Sequence, residues 1–311
     1  MSLKLTILGC HSATPRISAH PSAQILTIKN HVFLIDCGEG TQVQLRKYKV
    51  KFAKIKHIFI SHLHGDHFFG LVGLISTFRL LNRESELHIY APKGLKEIIT
   101  LQMKVSKTWT NFPLIFHELT NTESEVIYED EKVIVHTIPL DHRIYTNGFL
   151  FKEKLGQRKL NMAAISKYKE IEICDYQNLK SGRDFLLENG NTISNEDLTL
   201  PPEKPLSYAY CSDTSYHPPI LPIIEKVDCL YHESTFLNDR EELGKTTKHS
   251  TAAQAAKIAQ EAQVGQLILG HYSSRYKVVN DFKEQAFPFF KNTHLAEVGK
   301  VFEIDHNTTE A

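Results

Sequence analysis

Six consecutive residues, His62-Leu63-His64-Gly65-Asp66-His67, carry the densest chemistry in the chain. Imidazole and carboxylate are the donors that Zn²⁺ takes in catalytic sites. The stretch follows Ile58-Phe59-Ile60, an apolar run that predicts a buried strand, and it leads into Phe68 to Ile75, which predicts the start of a packed helix. Side chains two apart on an extended backbone point the same way, so His62 and His64 can aim at one ion. Gly65 lets the chain turn, which leaves Asp66 and His67 to aim at a neighbouring position. A chance surface cluster of histidines would need neither the strand end nor the glycine. The spacing predicts a metal site.

Its partners must come from other strand ends, where sheet-based enzymes commonly place active groups. His142 follows the run from Val133 to Asp141, Asp213 follows Tyr208 to Ser212, and His271 follows Leu267 to Gly270. His232 closes Cys229-Leu230-Tyr231, and His249 precedes Ser250-Thr251 and an Ala-rich helix. Each of these alone also suits a core or surface position. Taken with the first stretch, they give an inventory of His62, His64, His142 and Asp213 on one metal. Asp66, His67 and His271 then hold a second, with Asp213 shared. Two ions about 3.5–4 Å apart would activate a water and clamp both oxygens of an in-line displacement at phosphorus.

Ser250 and Thr251 suit the N-cap of the following helix, and a helix N-terminus receives phosphate. His249 beside them suits a general acid for the departing oxygen, with Glu233 to orient it. Ser273, Ser274 and Arg275 could hold a non-bridging phosphate oxygen. Asp36 is either a support behind a ligand histidine or a turn carboxylate. His11, His20, His31, His57, His88, His117, His136, His217, His294 and His306 are read as ordinary.

The elements that position these groups follow from pattern. At 311 residues, with 41% apolar and 23% charged, the chain can bury a sizeable core. Lys plus Arg equal Asp plus Glu at 36 each, so any polyanion site must be a local patch. The five cysteines (Cys10, Cys37, Cys174, Cys211, Cys229) show no CxxC, which argues against a disulfide scaffold and a Cys-zinc site. The N-terminus lacks the order of a signal peptide, and no apolar run reaches the length of a membrane span. A reduced cytoplasmic enzyme with no membrane partner is expected.

Strands are predicted at Leu3–Leu8, Ala23–Thr27, Val32–Asp36, Ile55–Ile60, Leu87–Tyr90, Leu114–His117, Glu125–Tyr128, Val133–Ile138, Tyr208–Cys211, Cys229–His232 and Gln266–Leu269. Helices are predicted through Leu45–Tyr48, up to Val105, near Ile220–Lys226, over Ala252–Ala262 and over Asn280–Lys291. Such alternation suggests a layered α/β sandwich. Residues 152–195 differ: Lys152, Lys154, Arg158, Lys159, Lys167 and Lys169 face one acid, Glu153, up to residue 169. They predict an excursion from the body, either a binding arm or a solvated amphipathic segment.

Together these residues resemble the ribonuclease Z family of tRNA 3′-processing endonucleases, within the metallo-β-lactamase superfamily. The matching segments are Thr6-Ile7-Leu8-Gly9, Asp36 to Gln42, His62 to His67, Tyr90 to Leu95, Ser212-Asp213-Thr214, His232 to Phe236, His249-Ser250-Thr251 and His271 to Tyr276. The HxHxDH stretch marks only the superfamily; the Asp36–Gln42, His249–Thr251 and His271–Tyr276 segments narrow it. The resemblance covers nearly the whole chain. It implies an α/β fold as a four-layer αβ/βα sandwich, one domain over residues 1–311, with residues 152–195 as an inserted arm that grips tRNA away from the cut. It further implies two Zn²⁺ per subunit, a homodimer and a precursor-tRNA substrate, with Asp66 as base or water-orienting carboxylate and His249 as acid. The products would be a tRNA 3′-hydroxyl and a trailer 5′-phosphate. One departure stands out: many relatives carry a Gly-Pro motif in the arm, where this chain reads Glu172 to Lys180 without one. Two other readings use the same residues: a small-molecule phosphodiesterase, which would spare precursor tRNA, and a non-catalytic tRNA-binding protein, which would lack ligands.

Overall fold

The computed structural model describes residues 3–14, 16, 17 and 19–305; His306 lies outside them. The chain first lays down β1 (Leu3–Gly9), β2 (Ala23–Ile28), β3 (His31–Ile35), β4 (Ile55–Phe59), β5 (Leu87–Pro92) and β6 (Leu114–Leu119). It continues through β7 (Val126–Glu129), β8 (Val133–Pro139) and β9 (Asn147–Glu153). Four two-residue strands follow, β10 (Lys159–Leu160), β11 (Phe185–Leu186), β12 (Thr192–Ile193) and β13 (Thr199–Leu200). The last five are β14 (Ser207–Cys211), β15 (Cys229–Glu233), β16 (Gln266–Gly270), β17 (Thr293–Leu295) and β18 (Val301–Ile304).

Two compact units result. One spans the chain up to Lys152 and from Leu206 onward; the other is Glu153–Pro205. In the first, one sheet runs β18-β1-β2-β3-β4-β5-β6 and the other β17-β16-β15-β14-β9-β8-β7. Alternation drives the pairing: in β1, Leu3, Leu5 and Ile7 are fully buried while Lys4 is exposed. Phe33 and Phe59 of the first sheet meet Phe151 of the second, at ring separations of 5.4 and 5.2 Å. On the first sheet's other face Leu34, Ile58 and Ile60 pack with Leu71, Leu74 and Phe78 of the helix Leu71–Leu80. The helix Ala252–Glu261 buries Ala252, Ala255, Ala256 and Ala259 in the core that contains the second sheet; small side chains let its backbone come close. The layers are helix, sheet, sheet, helix.

Most predicted elements are present within a residue or two. Strand β9 was not predicted, because its Phe149-Leu150-Phe151 run is buried on both faces and lacks alternation. The predicted strand to Asp36 stops at Ile35, since Asp36 adopts φ +56°. The helix from Asn280 ends at Ala286, short of Lys291, just before the Phe287-Pro288 step that disfavours helix. The unit Glu153–Pro205 runs ten residues past the predicted end of the excursion, because β13 pairs back on β10. It has its own small core of Ile165, Ile171, Leu179, Ile193 and Leu198. Within it Lys159 pairs with Glu203, Arg158 donates to Thr199, and Lys167 and Lys169 are exposed.

Candidate metal centre

The predicted ligands converge at the carboxyl ends of strands β4, β8, β14 and β16. After β4 the chain passes Ser61 and His62, and His64 leads into a single helical turn, Gly65–Phe68, that presents Asp66 and His67. The His67 amide donates to the His64 carbonyl at 3.0 Å and fixes that turn. The segment after β3 clamps it from below: the Cys37 amide donates to the His67 carbonyl, and the Gly70 amide donates to the Cys37 carbonyl. A Cβ at position 38 would stand 2.4 Å from the Asp66 carbonyl oxygen, so only glycine allows this approach.

The donor atoms fall into overlapping sets. His62, His64, His142 and Asp213 form one, Asp66, His67 and His271 another, and Asp213 and His271 a third with His249; within each set the donors lie within 4.8 Å of one another. The His64 Nδ1 is 3.0 Å from the His62 Nε2 and 3.2 Å from the His142 Nε2. The His271 Nε2 is 3.3 Å from the Asp66 Oδ2 and 3.2 Å from the Asp213 Oδ1. The other Asp213 oxygen lies 3.7 Å from His62 and 3.6 Å from His67, so this carboxylate touches both sets. Donors about 2.0–2.1 Å from a tetrahedral Zn²⁺ stand about 3.3–3.4 Å apart. The observed spacings match that edge.

Four of the five convergent imidazoles are held from behind. His67 donates from Nδ1 to the Asp36 carboxylate at 2.7 Å, and His142 donates from Nδ1 to the Lys248 carbonyl at 2.8 Å. The His62 Nδ1 meets the Ser61 hydroxyl, which donates to Asp36. The His271 Nδ1 meets the Thr235 hydroxyl, which donates to Glu233. Each bond leaves the Nε2 lone pair facing inward, the state a metal requires. The buried His67 Nε2 makes no hydrogen bond. Asp36 is fully buried and also accepts from the Ser61 amide and the Tyr210 hydroxyl, so it is no simple turn carboxylate.

Charge reinforces the fit. Burial pulls His62, His64 and His142 below the usual histidine value, which keeps them neutral. Burial would lower His67 too, but the carboxylates of Asp66, Asp213 and Asp36 hold it well above that value. Burial would raise Asp66, yet His67 and His271 keep it ionised far below the usual range. Buried carboxylates balanced only by imidazoles suit divalent cations, which displace those protons.

His249 stands beside this set. Its Nδ1 donates to the Glu233 carboxylate at 2.7 Å and lies 4.0 Å from Asp213. Burial opposes its charge, but Glu233 overcomes this and raises it to about 9. Glu233 in turn accepts from the amides of Thr214 and Thr235.

A cavity of about 1030 Å³ opens over the ligands, lined among others by Asp66, His249, His271, Ser273, Ser274 and Arg275. Ser250 and Thr251 do not reach it. The Ser250 hydroxyl donates to the Thr214 carbonyl, and the Thr251 hydroxyl caps the following helix in reciprocal bonds with Gln254. The fold therefore consumes both hydroxyls expected on phosphate. His232 is buried with Nδ1 on the Glu233 carbonyl, outside the ligand sets. Arg16 and Arg143 on the wall escaped the sequence reading, and His11 and His20, read there as ordinary, also line it. Arg143 had a signal in its adjacency to His142; the other three reach the wall on the loop after β1, which no linear spacing reports.

Similarity to known proteins agrees with this geometry. Residues 3–176, more than half of the chain, match and so belong to the family described as Anti-Pycsar protein Apyc1. The ribonuclease Z of Cytophaga hutchinsonii is 48% identical over 305 residues, 98% of this chain and 97% of that protein. That of Bacteroides fragilis is 45% identical over 294 residues, 94% of this chain and 96% of that protein. The crystal structure of human tRNase Z, short form, superposes with a TM-score of 0.71 at 27% identity, covering 97% of this chain and 99% of that one. The metallo-β-lactamase fold protein YhfI of Bacillus subtilis, at 19% identity and a TM-score of 0.68, shares the fold over 97% of this chain and all of its own. On these full-length matches, the chain belongs to the ribonuclease Z family and has the metallo-β-lactamase fold.

Proposed function

We propose that the protein is a zinc-dependent endoribonuclease that removes the 3′ trailer from precursor tRNA, leaving a tRNA 3′-hydroxyl and a trailer 5′-phosphate. One observation carries this reading: in a chain similar along its length to ribonuclease Z, all seven predicted ligands meet around Asp213 beside the His249–Glu233 pair. His62, His64, His142 and Asp213 would hold one Zn²⁺, and Asp66, His67, His271 and Asp213 the other. Bound there, two ions would supply Lewis-acid clamping of the scissile phosphate and activation of the attacking water.

The chain's own residues do the rest. Asp66 is the base or the water-orienting carboxylate for the attacking water. His249, kept protonated by Glu233, delivers a proton from Nε2 to the departing 3′-oxygen. Ser273, Arg275 and Arg143 on the cavity wall are placed for the non-bridging phosphate oxygens. Asp36 acts through His67, whose ring it fixes.

The unit Glu153–Pro205 is the proposed tRNA-gripping arm, inserted in an otherwise single domain, with Lys167 and Lys169 meeting phosphates. A homodimer fits the exposed apolar side chains Val43, Leu80, Leu101 and Val105 on the helices beside the first sheet. Among the described residues no helix is long and apolar enough to cross a membrane, and Cys10, Cys37, Cys211 and Cys229 are buried free thiols. Both suit the proposed cytoplasmic site of action.

Side-by-side turnover of a precursor tRNA and of a small aryl phosphodiester by the zinc-loaded protein tests the reading. Preference for the precursor by several orders of magnitude in kcat/KM is expected. A preference for the small diester would replace it with the small-molecule phosphodiesterase reading.

A further inference from the structure

Between Glu39 and Asp66 the chain carries six cations, Arg46, Lys47, Lys49, Lys51, Lys54 and Lys56, and no acid. Over the whole chain 36 cations balance 36 acids, so this stretch is a strong local excess. Surfaces built only for solubility intersperse the two signs. All six side chains are exposed, and none forms an ion pair among the described residues. Arg46 lies over the Phe52 ring at 5.7 Å and Lys47 over the Tyr48 ring at 5.4 Å, contacts that neutralise neither charge. Helix polarity accounts for Arg46 and Lys47, in the last turn of the helix Thr41–Lys47. It does not account for Lys49, Lys51, Lys54 and Lys56, which lie beyond that helix.

The run starts at the rim of the metal centre. Glu39 and Gly40, just ahead of the helix, line the catalytic cavity together with Gly65, Asp66 and Phe69. Seven helical residues then carry the chain about 10 Å to Lys47. Leu45 packs this helix against the first sheet, in the cluster that holds Leu34 and Ile58. Lys56 enters β4 six residues before His62, about 20 Å from it along extended backbone. The cations therefore form a track that leaves the cavity on the Asp66 side and follows the flank of the first sheet. In-line geometry decides which part of an RNA meets it. Attack from the Asp66 side expels the 3′-oxygen toward His249, so the tRNA lies on the His249 side. The phosphate stays with the trailer, to which the Asp66 side is left.

We propose, on the endonuclease reading above, that this track binds the phosphates of the precursor's single-stranded 3′ trailer. Lysines that meet backbone phosphates and no base edges accept any trailer sequence. The contact is gained only by trailers long enough to reach Lys47 and beyond.

Lys47→Gln, Lys49→Asn and Lys51→Gln combined remove three charges at exposed sites; asparagine suits the φ of +56° at position 49. The test is kcat/KM of the zinc-loaded wild type and of this variant against salt, on precursors with trailers of about twelve and about two nucleotides. The wild type should show the steeper salt dependence on the long trailer. The variant should lose about two units of that slope, at roughly 0.7 for each of three phosphates, and match the wild type on the short trailer. Equal wild-type slopes on both trailers, an unchanged long-trailer slope in the variant, or equal losses on both trailers would overturn the track and leave the endonuclease reading in place. No cut in either precursor by the wild type would overturn that reading, and the track with it.

Discussion

The proposed ligand histidines are useful to a metal only because of what stands behind them. Asp36 gathers four donors, from the Ser61 amide and hydroxyl, Tyr210 and His67, so its charge is spent on orienting the ring of His67. Asp36→Asn keeps the size and loses the charge, and should weaken zinc binding by about 10–100-fold, measured by competition with a chelator. Glu233 plays the corresponding part for His249. With Glu233 present the imidazolium persists to about 9; without it, burial pulls the group down, opposed only by the weaker influence of Asp213. The acid form drives leaving-group departure, so kcat falls as pH rises through that pKa. In Glu233→Gln the falling limb of the pH–rate profile should move down from near pH 9 toward neutral pH. An unmoved limb would remove His249 as the acid.

Elements decide what can be read from sequence. Residues 62–67 were legible because strand end, turn and ligands sit within six residues, and local geometry predicts where they aim. His142, Asp213 and His271 each lie just past a strand that the pattern reveals, but their convergence depends on strand order, which a linear pattern does not carry. Strand β9 was missed because a strand buried on both faces loses its alternation. Ser250 and Thr251 show the reverse, a correct helix start whose hydroxyls the fold uses for itself. The Asp36–Gln42 segment is the clearest case of an element serving the site, since Gly38 allows the Asp66 backbone to approach. Gly38→Ala should cost about 1–3 kcal/mol of stability and lower zinc content together, because the inserted methyl forces the two loops apart. A drop in melting temperature with full zinc content would separate the loop clamp from the ligands.

At the scale of the whole molecule, zero formal net charge means that recognition of a polyanion must be local. The unit Glu153–Pro205 supplies a candidate in Lys167 and Lys169, while Lys159 is already paired with Glu203. Lys167→Glu with Lys169→Glu should raise KM for precursor tRNA and flatten its salt dependence, by roughly one unit of slope for each phosphate no longer neutralised. Turnover of a small phosphodiester should not change. Equal losses on both substrates would place the effect in the metal centre and remove the arm from tRNA binding.

The reaction is decided by mapping, at nucleotide resolution, the ends produced when the zinc-loaded protein meets a precursor tRNA with a short 3′ trailer. A single metal-dependent cut just after the discriminator base is expected, with a 3′-hydroxyl on the tRNA and a 5′-phosphate on the trailer, abolished in Asp66→Ala. Scattered cuts, a 2′,3′-cyclic phosphate end, or the same cut in Asp66→Ala would contradict it.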